Sequence, residues 1–142
     1  MTLTATPAAD STFEGSWSGG GCTGNGPCTV TLTGATTVTA HFDALDPLTL
    51  TSLTADLSAP QSPGTAITFT ATATGGTAPY EYKWWVNHGA ASVGQDWSTS
   101  NTYVWTPMKP SGSYQVEVWV RSAGSTVDSY TVYGSMAFPI HP

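Results

Sequence analysis

The sequence predicts an all-β protein, because its composition, its alternation of apolar and polar residues and its turn clusters agree. Threonine supplies 25 of the 142 residues, and this β-branched residue fits a pleated strand better than a helix. Alternation with period two indicates strands with one buried and one wet face. Clusters of Gly, Pro, Asn and Ser between the alternating segments are typical of a sandwich or barrel. The clearest alternating segments are 29–33, 38–42, 67–72 and 114–120.

A change in composition near residue 43 predicts two modules. The chain before it is rich in glycine, the chain after it is rich in aromatic residues, and two acids and a proline interrupt the alternation between them. We therefore expect a first module at 1–42, a linker at 43–47 and a second module at 48–142. The second module can be laid out as seven strands, at about 48–57, 65–74, 80–87, 91–97, 101–106, 113–122 and 130–140.

The first module is a series of short motifs around two cysteines. Thr-Leu-Thr-Ala-Thr-Pro is followed by Phe-Glu-Gly-Ser-Trp-Ser-Gly, a cysteine loop, Cys-Thr-Val-Thr and a closing Thr-Val-Thr-Ala-His-Phe. These motifs resemble the C-terminal half of the divergent internalin-B-type bacterial repeat, with Ser16 inserted in the turn and the leading strands missing. The resemblance implies a small hairpin or meander. Because two or three strands alone are marginally stable, we expect it to lean on the second module or to self-associate with another copy of the chain.

Cys22 and Cys28 enclose five residues, four of which are Gly, Asn or Pro. A redox pair or half of a metal site is the functional alternative to a structural disulfide. The spacing differs from the C-x-x-C of thiol oxidoreductases, and no further Cys or nearby His completes a zinc ligand set. We therefore predict a disulfide, which implies an oxidising compartment and a secreted or cell-surface protein.

The second module carries the markers of an immunoglobulin-like sandwich. Trp84 lies in the third predicted strand, where that fold buries a tryptophan, and Tyr114 opens the sixth strand like a tyrosine corner. Gly-Gly-Thr-Ala-Pro-Tyr-Glu-Tyr-Lys-Trp at 75–84 and Gly-Ser-Tyr-Gln-Val-Glu-Val-Trp-Val at 112–120 resemble the polycystic-kidney-disease-type domain and its bacterial immunoglobulin-like relatives. Trp-Val-Asn follows Trp84 in place of the narrower family's signature, so the resemblance points to the broader class. It implies a spacer, an adhesin segment or an accessory domain of an exported bacterial protein.

Alternation also predicts an outward-facing patch on the second module. If Trp84 and Tyr114 point into the core, their neighbours in sequence point outward. This patch has two possible roles, because an indole face packs on protein or stacks on sugar rings. It is either buried against a neighbouring module or it is a platform for a ligand. A wrong assignment of the inward face is the third alternative. The predicted patch consists of Lys83, Trp85, Glu117, Trp119 and Arg121.

Charge and motif content argue against several functional classes. Three basic residues in a chain of net charge −6 are a poor match for nucleic acid or an anionic membrane, and no segment has the ~20 apolar residues of a membrane span. His41, His88 and His141 are scattered, and no catalytic motif is recognisable, so we expect no catalysis and no cofactor. For Asp43 and Asp46 the alternatives are a solvated linker and calcium binding.

The sequence thus leads to two functional hypotheses. The first is a non-catalytic structural or adhesive module pair from a secreted or cell-surface bacterial multidomain protein, with neighbouring modules or a protein or glycan ligand as partners. The second is a carbohydrate-binding accessory module that uses Trp85 and Trp119. Residues 1–10 carry neither a basic start nor an apolar run, so we expect a piece of a longer exported protein.

Overall fold

A computed structural model describes residues 1–8, 11–13, 16–109 and 112–141. All regular elements in these ranges are β-strands, which confirms the predicted all-β class. The chain divides into two compact units, Met1–Asp46 and Pro47–Pro142. No helix in the described ranges has the length and apolar character needed to cross a membrane.

The first unit is built from three short antiparallel strand pairs. The strands are β1 (Thr2–Leu3), β2 (Ser11–Thr12), β3 (Trp17–Ser18), β4 (Cys28–Thr29), β5 (Thr39–Ala40) and β6 (Asp43–Ala44). β1 pairs with β4, β2 with β6 and β3 with β5.

A glycine turn follows β3. Gly19 has a positive φ of 85°, and a Cβ there would collide with the carbonyl oxygen of Thr37, so only glycine fits the turn. Gly15, which belongs to the predicted turn, lies outside the described residues.

Two expectations for the first unit differ from its structure. The alternation at 29–33 predicts a longer strand, but only Thr29 of this segment lies in a strand. Alternation indicates which side chains share a face, but it does not indicate whether another strand lies alongside to pair with the segment. Asp43–Ala44, expected in the linker, form β6 and pair with Ser11–Thr12. The division between the units falls after Asp46, within the segment 43–47 that the sequence assigns to the linker.

A tryptophan and a disulfide form the centre of the first unit. Cys22 and Cys28 are joined, which confirms the predicted disulfide. Nε1 of Trp17 donates a hydrogen bond of 2.8 Å to the carbonyl oxygen of Gly26, so the cysteine loop is tied to the indole. The buried residues are Trp17, Cys22, Cys28 and Val30, with Leu3, Ala5, Phe13, Val38 and Ala40 packed against them.

The described part of the second unit forms a sandwich of two antiparallel sheets. The strands are β7 (Thr49–Ala55), β8 (Ile67–Thr74), β9 (Tyr80–His88), β10 (Ala90–Ser98), β11 (Thr102–Trp105), β12 (Gln115–Ser122) and β13 (Val132–Ala137). Their ends differ from the predicted ones by no more than three residues. One sheet has the order β11-β8-β7 and the other β10-β9-β12-β13. The third and sixth strands of the unit, β9 and β12, are therefore neighbours, as in an immunoglobulin-like sandwich.

The core of the second unit lies between the two sheets. Trp84 is completely buried, and its ring stacks on Tyr103 with 5.8 Å between the centroids. Tyr114 is 8% exposed and packs against Trp105. Both core markers predicted from the sequence are thus buried in the sandwich. The largest fully buried side chains are Trp84, Phe69, Phe138, Ile67, Ile140, Val116, Val118 and Val120.

Candidate functional site

The outer face of the four-stranded sheet brings the predicted patch together. β9 and β12 are neighbouring antiparallel strands, and their register sets Lys83 opposite Trp119. The same register sets Trp85 opposite Glu117. Because residues at even spacing share a face, the burial of Trp84 leaves all of these side chains, together with Arg121, on the outer surface.

An ion pair and a stacked ring hold Arg121 on this face. Its Nε donates a 2.7 Å hydrogen bond to a carboxylate oxygen of Glu81, the residue opposite it in the register. Its guanidinium carbon lies 3.9 Å from the centre of the Trp97 ring, a favourable cation–π contact. Nη1 donates to the carbonyl oxygen of Val127. Arg121 is therefore 8% exposed although it points away from the core.

Lys83 is the second enclosed cation of the face. Its Nζ lies 2.8 and 3.0 Å from the two carboxylate oxygens of Asp128 and 3.2 Å from an oxygen of Asp96. The hydrogen bond to Asp128 raises the pKa of Lys83, and burial opposes that effect. The hydrogen bond from Lys83 lowers the pKa of Asp128, and the indole N–H of Trp97 lowers it further. The backbone N–H of Trp97 and the Lys83 ammonium lower the pKa of Asp96.

A strap, residues 123–131 between β12 and β13, covers part of this face. Val127 and Asp128 accept hydrogen bonds from the two cations, and the Asp128 carboxylate also accepts a 2.6 Å hydrogen bond from Nε1 of Trp97. We call these two cations, their acids and the indole the clasp, which consists of Glu81, Lys83, Asp96, Trp97, Arg121 and Asp128. It attaches the strap to the sheet and neutralises both cations internally.

Four aromatic rings form a continuous row beside the clasp. Trp85 and Trp119 lie 4.9 Å apart, Trp119 and Tyr130 5.0 Å apart, and Tyr130 and Tyr133 4.9 Å apart, measured between ring centroids. The two tryptophans are half-buried, whereas Tyr130 and Tyr133 are 42% and 55% exposed. We call these four residues the aromatic row. Its exposed end is at β13 and the strap.

Polar groups line one side of the aromatic row. The indole N–H of Trp119 donates to the carboxylate of Glu117. Nε2 of Gln115 donates a 3.0 Å hydrogen bond to the hydroxyl of Ser135, and Ser135 lies opposite Glu117 in the register of β12 and β13. The face therefore offers ring surfaces next to an amide, a hydroxyl and a carboxylate.

Sequence reasoning found the members of this site that lie on β9 and β12 and missed the rest. Trp97 lies within the second of two register shifts in β10, where alternation no longer indicates the face. Asp128 and Tyr130 belong to a loop, to which period-two alternation does not apply. Tyr133 lies on a strand that the sequence predicts. Thr131 and Ser135, two residues before and after it, are small polar residues and do not indicate a contact surface on that face.

The side chains that commonly bind metals are dispersed in the described ranges. Among them, no group of three or more His, Cys, Asp or Glu side chains is close enough together to hold a metal ion. Asp43 lies in β6, and Asp46 is exposed after it. In the described ranges, these two carboxylates do not belong to a group of three or more such side chains that could bind calcium.

No family model, no curated protein and no solved structure matches this chain. The two family resemblances noted in the sequence remain hypotheses, and the geometry of the outer face is the basis for the functional proposal.

Proposed function

We propose that the chain is a non-catalytic structural or adhesive part of a secreted or cell-surface bacterial multidomain protein. Its contact surface is the outer face of the four-stranded sheet. The observation that carries the proposal is the aromatic row, which ends in two tyrosines that are 42% and 55% exposed. Its partners are neighbouring modules or an extracellular ligand.

The composition of this face supports a contact surface. Protein interfaces are enriched in Tyr, Trp and Arg and depleted of charged residues at their centres, and a few anchors rich in Trp, Tyr and Arg supply most of their binding energy. Here the clasp pairs the charges of Lys83 and Arg121 within the face. A partner that covers the row therefore meets ring surfaces and not unpaired cations.

The rigidity of the face favours binding as well. Three of the four rings project from strands, and the fourth, Tyr130, packs on two of them, so little side-chain freedom remains to be lost on association. The disulfide in the first unit is compatible with an oxidising compartment, which agrees with an exported protein.

A binding assay with a matched pair of variants tests the proposal. Labelled protein is applied to surfaces coated with fibronectin, with mucin or with insoluble polysaccharide. We expect retention on at least one protein-coated surface, and a loss of more than tenfold in affinity for Tyr130→Ser/Tyr133→Ser, because two anchor rings are removed. Val104→Ser, which alters a 60% exposed residue of the other sheet, is the control. Equal retention of the double variant and the wild type would reject the proposal.

Carbohydrate binding is the second candidate, and the polar side of the row favours it. A sugar ring presents an apolar face for stacking and hydroxyl groups at its edge, and Gln115, Glu117 and Ser135 supply partners for such hydroxyls beside the Trp119 and Tyr133 rings. Pelleting with insoluble cellulose and chitin tests it. Here we expect Gln115→Ala to weaken binding as well as Tyr133→Ser, whereas adhesion to protein through the rings is insensitive to Gln115→Ala.

A further inference from the structure

A groove opens between the two sheets of the second unit, away from the aromatic row. It has a volume of about 550 Å³. It is lined by the beginning of β10, from Ala90 to Gly94, and by Tyr103 and Trp105 of β11. The other lining residues are Val86, His88, Pro107, Met108, Lys109 and Tyr114.

The groove follows a strand edge that has no partner. In the described ranges β10 pairs only with β9, and β11 pairs only with β8. The two edges come together at Gly94, where an added Cβ would collide with the hydroxyl group of Tyr103. Before that point, Ala90–Val93 have no strand on their outer side. An unpaired edge of small, uncharged residues is a template for another strand.

The opposite side of the sandwich is closed and provides a contrast. There β13 lies against β7, and a Cβ added to Gly134 would collide with the side chain of Leu50. The groove therefore lies on the β10–β11 side of the sandwich, where the first half of β10 has an accessible edge.

Alternation along β10 determines which side chains face the groove. Ala90 lies opposite His88 and Ser92 opposite Val86, and both partners line the groove. Ala91 also lies along the groove edge, but it is opposite Asn87, so alternation directs its side chain to the outer face. A strand added to this edge would likewise direct alternate side chains between the sheets.

Charge distinguishes the possible occupants of the groove. The chain has three Lys and Arg residues, and the clasp pairs Lys83 and Arg121 with acids. The third, Lys109, lines the groove, and no acid of the described ranges lies within ion-pair distance of it. A second copy paired through its own Ala90–Gly94 would bring no acid to Lys109, because that segment is uncharged.

We propose that this groove binds an extended peptide that pairs with β10 as a fifth strand of its sheet. The peptide places apolar side chains between the sheets and a carboxylate beside Lys109. Backbone pairing supplies affinity and the groove supplies side-chain selectivity, as in other cases of strand addition. This site is independent of the aromatic row and of its proposed function.

Synthetic peptides test the proposal against the complete chain. The probes alternate threonine with valine, leucine or phenylalanine and end in either aspartate or lysine, and binding is followed by the amide resonances of the protein. We expect the aspartate peptides to shift the resonances of Ala90–Val93 and to bind several-fold more tightly than the lysine peptides. Lys109→Glu should reverse that preference. A preference that Lys109→Glu leaves unchanged would overturn the proposal.

A pair of adjacent substitutions separates the groove from the rest of the strand. Ala90→Phe fills the groove and should abolish peptide binding, whereas Ala91→Phe places the same ring on the opposite face and should preserve it. Equal effects of the two substitutions, shifts confined to the aromatic row, or no binding of any peptide at millimolar concentration would each contradict the proposal. Sedimentation that shows a dimer broken by Ala90→Phe without peptide would assign the edge to a second copy instead.

Discussion

The two units of this chain reach a folded state by different means. The first has strand pairs of two residues each and a buried centre of Trp17, Cys22, Cys28 and Val30. The second has strands of four to nine residues and a buried cluster that fills the space between two sheets. A covalent link substitutes for strand length in the first unit, because short ladders and a small apolar centre stabilise little. The buried core of the second unit stabilises it without help from its outer face, so the side chains of that face are available for the clasp and the aromatic row.

The largest loss of stability is expected from Trp84→Ala, in the core of the second unit. This ring is completely buried, and its truncation should reduce the free energy of unfolding of the second unit by about 3–5 kcal/mol. Trp85→Ala removes a half-buried ring of the outer face and should cost roughly 1–2 kcal/mol. Denaturant melts of both variants measure the difference. A larger cost for Trp85→Ala would mean that the core of the sandwich is wrongly identified.

The disulfide should matter to the first unit alone. Cys22→Ser/Cys28→Ser opens a small loop and should destabilise this unit by about 2 kcal/mol on the chain-entropy model. Amide exchange resolves the effect by residue, with faster exchange expected at Trp17 and Val30 and no change at Val116 and Val118. Comparable loss of protection in both units would contradict the separation of their stabilities. The wild-type protein should show no alkylated cysteine unless it is first reduced.

A smaller effect is expected from the clasp. The pKa values of Asp96 and Asp128 are lowered in the folded state, so their contribution to stability is present above the unfolded pKa of about 3.9 and is lost as the pH falls through the folded values. The pKa of Lys83 is raised, so its contribution is present below about 10.4 and is lost as the pH rises through the folded value. The strap should therefore be best ordered between about pH 4 and pH 10.

Lys83→Met tests this pH dependence because it keeps the apolar stem of the side chain and removes the charge. In the wild-type protein, amide exchange of the strap should accelerate below about pH 4 relative to the core strands. The variant should show fast exchange of the strap already at neutral pH. Strap protection that is the same in both proteins at neutral pH would show that the ion pairs do not hold it.

The sequence was most informative where structure depends on local periodicity. The strands of the second unit and the inward positions of Trp84 and Tyr114 follow from alternation, because one face of each strand must be buried. The disulfide follows from two cysteines in a loop of turn-forming residues. These features need no knowledge of distant contacts.

The sequence was least informative where structure depends on contacts between distant segments. Asp128 reaches Lys83 across 45 positions, and no local pattern in the strap reports this. The first unit shows the same limit: Phe42 packs on Phe13 with 5.3 Å between the ring centroids, and no local pattern in either segment indicates this contact. Its strand pairs are too short to impose a regular alternation on their flanks.

The central proposal is that the outer face of the four-stranded sheet is a contact surface of this protein. A photo-crosslinking amino acid is placed at Tyr133 in one variant and at Val104, which is 60% exposed on the other sheet, in a second. After irradiation of the full-length protein in its native setting, we expect crosslinks from position 133 to a neighbouring module or ligand, and none from position 104. Equal crosslinking from both positions, or crosslinks from position 104 alone, would contradict the claim.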